Sequence, residues 1–198
     1  MSKRPLPKGY KLFSEKAEKV FSGTRFDIYQ WKQKLFNGSM VTFEIAKRND
    51  TVVIIPIIDE EIVLVKERQP HWDKDALVLV GGVVEKEEEL EAAARRECAE
   101  ETGMIFKDFY LVDVRYPTPG VEWGIYTFIA KNLLEMKEKK LDAGEKNEVM
   151  KLSFADVIDY TKKGKFLYSP LMIEKYLLND QADSIFDMFR NPEKYILK

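Results

Sequence analysis

The sequence has 198 residues, of which 45% are hydrophobic and 12% aromatic. This length and composition are typical of a folded domain with a substantial core and exclude a wholly disordered chain. Lys and Arg (32) nearly balance Asp and Glu (34), so the formal net charge of -2 predicts no basic surface for nucleic acid or anionic membrane. One cysteine, Cys98, and one histidine, His71, exclude an internal disulfide framework and a Cys/His zinc cluster within one chain.

The N-terminal sequence carries no recognisable targeting signal. Residues 1–16, MSKRPLPKGYKLFSEK, lack the apolar segment of a signal peptide. No apolar run in the chain approaches the length of a membrane-spanning helix. We therefore expect a soluble cytoplasmic protein.

The first predicted element is a β-hairpin. Residues 25–36 and 39–48 alternate apolar and polar side chains on either side of Asn37-Gly38. This dipeptide favours the tight turn that joins two antiparallel strands. We predict an N-terminal β subdomain over residues 1–48.

A second hairpin and a third strand follow. Residues 51–58 and 61–67 flank Asp59-Glu60 and are more continuously apolar, which indicates a more buried hairpin. The short apolar segment 76–80 leads directly into Gly81-Gly82.

The second half of the chain is predicted to contain both strands and helices, within a mixed α/β domain over residues 49–198. Residues 108–116 and 123–130 have strand composition, whereas the polar segment 135–148 is predicted to be a mobile loop or a hairpin end. Two helix starts are indicated, by Ser153 with Asp156 for a helix through Lys163, and by Ser169-Pro170 for the next helix.

Residues 87–102 are predicted to form a helix that ends at Gly103. At 3.6 residues per turn, Leu90, Ala94 and Cys98 share one apolar face. Glu97, Glu100 and Glu101 are clustered at the edge of this face. Carboxylates this close to a core repel one another unless a cation neutralises them, so the geometry leaves two interpretations open, an oxygen-ligated Mg²⁺ or Mn²⁺ site and a solvated acidic face.

The same segment resembles the Nudix box of Nudix hydrolases, whose pattern is G-x5-E-x7-R-E-U-x-E-E-x-G-U with U apolar. Every fixed position is filled, by Gly82, Glu88, Arg96, Glu97, Cys98, Glu100, Glu101, Gly103 and Met104. The resemblance implies an α/β/α sandwich with a mixed sheet, and hydrolysis of a nucleoside diphosphate linked to a second group.

The resemblance also implies roles for the box residues. Glu97, Glu100 and Glu101 would bind metal, with a carbonyl oxygen of Gly81 or Gly82 as a further ligand. Arg96 would orient the glutamates, and Glu88 would bind metal through water or hold the loop. Cys98 is expected to pack as a small apolar residue, and His71 to lie in a loop.

Residues 17–178 as a whole resemble the ADP-ribose pyrophosphatases within this family. Pro119 stands sixteen residues beyond Gly103, a spacing typical of that subfamily. The resemblance implies a homodimer built through N-terminal strands, with no nucleic-acid or membrane partner. It also implies several substrate-binding residues. These are Phe26 or Phe43 stacked on the base, Arg48 near the nucleotide, Arg68 on a phosphate, and the loop from Pro117 through Pro119 to Glu122.

Some points stay open at the level of sequence. Core or interface packing would equally explain Phe26 and Phe43, and Trp31 and Tyr29 are alternative stacking residues. The general base is expected to be Glu145 or Glu148, although either could be a plain loop charge.

The sequence also departs from the subfamily pattern. Val78-Leu79-Val80-Gly81-Gly82 replaces the usual Glu-x-Pro-Ala-Gly, and Gln69 stands where an arginine is common. Two alternatives to an ADP-ribose hydrolase therefore remain. One is a Nudix enzyme for a dinucleotide cofactor or dinucleoside polyphosphate, and the other is a silent module that binds a nucleotide or a protein.

Overall fold

The structure is a computed structural model, and it describes residues 14–116, 118–139, 146–168, 170–179 and 181–197. Its strands and helices follow in the order β1 Glu18–Ser22, β2 Asp27–Lys34, β3 Met40–Lys47, β4 Thr51–Ile58, β5 Glu61–Arg68, β6 Ala76–Val78, β7 Val80–Val83, α1 Leu90–Thr102, β8 Met104–Arg115, β9 Val121–Glu122, β10 Ile125–Met136, β11 Lys146–Ser153, α2 Phe154–Lys162, α3 Leu171–Leu178 and α4 Ala182–Arg190. A 3-10 turn, Pro192–Lys194, follows α4.

The N-terminal strands form a sheet of their own. Its order is β1-β2-β3-β9, with antiparallel pairing except between β3 and β9. The predicted hairpin around Asn37-Gly38 is confirmed, because β2 and β3 pair across this turn and Gly38 has a φ of 86°. The fourth strand comes from Val121–Glu122, so this sheet draws on a segment far outside residues 1–48.

The second sheet carries the core. Its order is β11-β5-β4-β10-β8, with β6 beside β5 and β7 beside β4. The pairing of β10 with β4 is parallel, whereas β10 with β8 and β11 with β5 are antiparallel, so the sheet is mixed as predicted.

Strand β4 shows how the sheet separates two layers. Its side chains alternate, so that Val52 and Ile54 face the cluster containing Ala94 of α1, whereas Ile55 and Ile57 face the opposite cluster. The opposite cluster contains the apolar side chains of α2, α3 and α4. The predicted α/β/α sandwich is confirmed by these two cores.

Two predicted elements have to be corrected. The helix predicted from residue 87 begins at Leu90, because Glu87 has a φ of 65° in the turn that precedes it. The segment predicted as a mobile loop or a hairpin end over 135–148 contains the end of β10 and the start of β11, while residues 140–145 lie outside the described residues. Strand β11 was missed because much of its sequence is polar. It lies at the edge of the sheet, where it pairs with β5.

The two predicted helix starts agree well with the structure. Ser153 is the N-cap of α2, and its side chain accepts a hydrogen bond of 3.1 Å from the backbone N–H of Asp156. Pro170 is the N-cap of α3, while Ser169 lies outside the described residues. Among the described residues, no helix is both long and apolar enough to cross a membrane.

Candidate active site

Helix α1 positions the acidic side chains by fixing one face in the core. Ala93, Ala94 and Cys98 are completely buried in the layer beneath the sheet. Gly103 ends the helix in the left-handed region, with a φ of 72°, and its N–H donates to the carbonyl of Ala99 at 2.9 Å. The buried face and the C-cap fix the rotation of α1 about its own axis, so its glutamates stay at the edge of the core.

Arg96 ties these carboxylates together. Its guanidinium donates to both oxygens of Glu88, at 2.9 and 3.0 Å, and through Nη1 to Glu97 at 2.8 Å and Glu100 at 3.0 Å. It also donates to the backbone carbonyl of Val83 at 3.0 Å. These charge-assisted bonds raise the pKa of Arg96, and the same contact lowers the pKa of Glu88.

The glycine pair before the box lies directly against the acidic face. The N–H of Gly81 donates to Oε2 of Glu101 at 3.2 Å. A Cβ atom on Gly82 would overlap the carboxylate of Glu97, and one on Gly81 would overlap the carbonyl of Val52. Glycine is required here because backbone and carboxylates approach each other so closely.

This donor set suits a hard divalent cation. Glu97, Glu100 and Glu101 lie on one helix face beside backbone that has no side chain to block access. Within the described ranges, no three acidic, histidine or cysteine side chains are gathered as tightly as a bound metal requires. In the structure Nη1 of Arg96 supplies the positive charge between Glu97 and Glu100.

Glu88 has a different place from the other glutamates. Besides its two bonds to Arg96, it accepts a hydrogen bond of 2.9 Å from the backbone N–H of Glu85. Glu88 therefore links the turn before α1 to Arg96.

Cys98 packs in the core, as predicted. It is fully buried, and burial raises the pKa of its thiol to about 12. His71 is an exposed loop residue whose ring lies edge-on to Trp72 at 5.8 Å.

Arg48 and Phe26 are brought together near the end of β3. The guanidinium carbon of Arg48 lies 5.8 Å from the ring centroid of Phe26 and 4.3 Å from that of Trp123. Sequence reasoning missed Trp123, for which the one available signal was its position directly after the predicted substrate loop.

Phe43 lies on the other face of the N-terminal sheet. The register pairs Trp31 with Phe43 and Asp27 with Lys47, and paired residues share a face. The rings of Trp31 and Phe43 are in edge contact at 5.8 Å. Phe26 precedes Asp27 and so continues on the opposite face, which means that Phe26 and Phe43 of one chain cannot hold the same base.

Glu122 lies on the Phe43 side of this sheet. It pairs with Lys47 at 3.0 Å through Oε1, while its Oε2 is buried with no hydrogen-bond partner among the described residues. Pro119 is exposed in the preceding turn, and Pro117 lies outside the described residues.

The remaining predicted site residues are more scattered. Arg68 is exposed at the end of β5 and lies 3.4 Å from Asp75. Glu145 lies outside the described residues. Glu148, expected in a loop, instead belongs to β11, where it pairs with Lys66.

The orientation of β11 matters for Glu148. The neighbouring Asn147 donates to the backbone carbonyl of Glu101 at 3.2 Å, so Asn147 faces α1. Side chains alternate along a strand, and Glu148 therefore points away from the box helix. The sequence carried no signal for the contact between Asn147 and α1, because it depends on tertiary packing.

Comparison with known proteins identifies the family. The NUDIX domain model matches residues 47–172. ADP-ribose pyrophosphatase of Bacillus subtilis (strain 168) is 33% identical over 144 residues, which cover 71% of this chain and 78% of that protein. A methanol dehydrogenase activator of Bacillus methanolicus is 28% identical over 179 residues, covering 87% of this chain and 97% of that protein.

The fold is shared with a solved structure of an ADP compounds hydrolase. The two superpose with a TM-score of 0.67 at 21% sequence identity, over 83% of this chain and 92% of that chain. The family match spans well over half of the sequence and includes the whole of the glutamate-bearing segment described above. The chain therefore belongs to the Nudix family of hydrolases.

Proposed function

We propose that this protein hydrolyses the diphosphate linkage of ADP-ribose or a related nucleoside diphosphate sugar, with Mg²⁺ as its metal and Mn²⁺ as a substitute. In the ADP-ribose case the products are AMP and ribose 5-phosphate. The observation that carries the proposal is the place of the α1 glutamates: Glu97 lies against Gly82, Glu101 accepts from the N–H of Gly81, and Glu100 is joined to Glu97 through Arg96. The likeness to the ADP-ribose pyrophosphatase of Bacillus subtilis supports this choice of substrate.

The box residues would bind the divalent ion and orient the carboxylates that hold it. Glu97, Glu100 and Glu101 would hold the divalent ion with a carbonyl of the glycine pair, and Arg96 would keep the carboxylates in place. When bound, the ion neutralises phosphate oxygens and lowers the pKa of the attacking water. The water oxygen adds to one phosphorus and the bridging oxygen leaves with the other phosphate. One P–O bond is thus exchanged for another, and the proton of the water is released.

The proton acceptor for this water is proposed to be Glu145, which directly precedes β11. Glu148 is the second candidate, although its strand position directs it away from the box. Measuring kcat for Glu145→Gln and Glu148→Gln separates the two, because loss of the base lowers kcat with little change in KM.

Nucleotide recognition is proposed to involve Phe26 and Arg48 on one face of the N-terminal sheet. Phe26 is 37% exposed, so part of its side chain is accessible to a base. Phe43 would join the site only from a second subunit, because it lies on the opposite face. We further propose that residues 1–48 act as the dimerisation and base-recognition unit beside the hydrolase domain of residues 49–198.

A substrate panel tests the proposed function. Initial rates with Mg²⁺ would be compared for ADP-ribose, ADP-glucose, NAD⁺ and a diadenosine polyphosphate, with products separated by chromatography. We expect the highest kcat/KM for ADP-ribose, with AMP and ribose 5-phosphate in equal amounts. A preference for NAD⁺ or the dinucleoside polyphosphate would favour the alternative Nudix substrate, and no turnover of any compound would favour the silent binding module.

A further inference from the structure

Arg48 lies close to two aromatic rings. Its guanidinium carbon lies 4.3 Å from the Trp123 centroid and 5.8 Å from the Phe26 centroid. Both distances fall within the range in which a cation is attracted to an aromatic ring. Trp123, the nearer ring, therefore contributes most to the placement of this guanidinium.

Trp123 is itself fixed by the first residue of β4, the strand that pairs with β7 before the box. Its indole N–H donates to the hydroxyl of Thr51 at 2.9 Å, and the N–H of Thr51 donates to the carbonyl of Gly124 at 2.8 Å. The backbone N–H of Arg48 donates to the carbonyl of Glu122 at 3.1 Å. The Trp123 ring and the Arg48 guanidinium therefore belong to two backbone segments that are hydrogen-bonded to each other.

Arg48 is a charged residue in a half-buried position. Among the residues that the structure describes, no carboxylate lies within ion-pair distance of its guanidinium. Burial, together with the nearby charge of Arg25, lowers the pKa of Arg48. The guanidinium carries its N–H donors as a planar fork, the arrangement that suits a phosphate.

The fork lies close to the proposed reaction centre. Thr51 pairs with Val83, and the backbone carbonyl of Asp50 accepts a hydrogen bond of 2.9 Å from the N–H of Val84. Both contacts adjoin Gly82, which lies against Glu97. Arg48 precedes Thr51 by three residues, so its backbone lies near the end of β4 that pairs with the glycine segment.

Resting on the proposed function, we infer that Trp123 is a positioning residue, which fixes the Arg48 fork so that it binds a phosphate group of the nucleoside diphosphate substrate. Trp123 acts through Arg48 and does not itself touch the reacting atoms. Trp123 would thus contribute to substrate affinity although it lies outside both the Nudix box and the N-terminal segment.

A double-mutant cycle on the full-length enzyme tests this inference, with ADP-ribose and Mg²⁺. Trp123→Leu is expected to raise KM by about 2- to 30-fold, the range of a cation–π contact, with kcat preserved. Trp123→Phe keeps a ring and is expected to recover most of the loss. In an Arg48→Met background, Trp123→Leu is expected to add less than about twofold, because its only route of action is already removed.

A matched control is available on the back of α1. Arg95 lies 4.4 Å from the ring centroid of Phe109, so Phe109→Leu removes a similar stack away from the substrate. We expect its KM to stay at the wild-type value, with melting temperatures recorded for every variant. Additive effects of Arg48→Met and Trp123→Leu, or an unchanged KM in Trp123→Leu, would overturn the inference. A wild-type enzyme that hydrolyses no diphosphate would instead contradict the proposed function.

Discussion

Arg96 shows how single residues organise the acidic site. One guanidinium contacts Glu88, Glu97 and Glu100 and also the backbone of Val83, so it joins the turn, the helix and the glycine segment. The sequence pattern predicted these residues as a group, and the structure shows the contacts of Arg96 with three of the glutamates. The structure shows that Glu88 lies in the segment before α1 and contacts the backbone of Glu85, whereas the other glutamates lie on the helix itself.

Gly82 provides a prediction at the residue scale. In Gly82→Ala the new methyl group displaces the Glu97 carboxylate, so we expect kcat to fall by about 100-fold, the usual cost of a misplacement near 1 Å. The fold should persist because the displaced group is the end of a flexible side chain. The control is Gly164→Ala, which has a φ of 60° and open space around it, and so affects stability without touching the site. Equal kcat values in Gly82→Ala and wild type would contradict this account.

Cys98 gives a second residue-scale prediction. Its thiol is fully buried and its pKa is raised to about 12, so at pH near 8 it stays protonated and shielded. We expect no reaction of the native protein with a thiol-specific dye and one thiol per chain after denaturation. Rapid labelling of the native protein would show that the box helix opens or packs differently.

At the scale of elements, the sequence predicted those strands and helices whose signals are local. The hairpin around Asn37-Gly38 and helix α1 were predictable because turn residues, caps and periodicity all occur within a few positions. Strand β11 was not, because its identity comes from pairing with β5, far away in the chain. The small strand β9 was missed for the same reason, since its pairing with β3 is a long-range contact.

The separation of Phe26 from Phe43 leads to a prediction about the N-terminal sheet. Phe26 contacts Arg48, so Phe26→Ala should raise KM for ADP-ribose by about five-fold to more than a hundred-fold, corresponding to roughly 1 to 3 kcal/mol of stacking, with kcat preserved. Phe43→Ala, which removes a ring in contact with Trp31 on the other face, should change KM less. The reverse order would place the base on the Phe43 face.

At the scale of the whole molecule, the N-terminal sheet leaves much apolar surface uncovered. Every residue of β1 is exposed, and large side chains such as Phe21, at 59%, and Met40, at 58%, face solvent in one chain. Exposed apolar surface of this kind indicates an interaction site. It supports the proposed homodimer, which would cover this surface with a second copy.

Light scattering tests the dimer. One chain has a mass of 23.1 kDa, so twice this mass, about 46 kDa, is expected for the full-length protein. Phe21→Glu should shift the protein toward the monomer, because it places a charge in an apolar interface. Leu178→Glu adds the same charge at a residue of α3 that is 85% exposed, and should leave the mass unchanged. A monomeric wild type would rule the dimer out.

We propose that the glutamates of α1 support metal-dependent cleavage of a nucleoside diphosphate, and a comparison of wild type with Glu101→Gln tests this proposal. Wild type and Glu101→Gln would be incubated with ADP-ribose in Mg²⁺ or in EDTA, and AMP and ribose 5-phosphate would be quantified. We predict equal amounts of both products from wild type in Mg²⁺, none in EDTA, and a kcat lower by several orders of magnitude in Glu101→Gln at an unchanged melting temperature. Full turnover in EDTA, or by Glu101→Gln, would contradict the account.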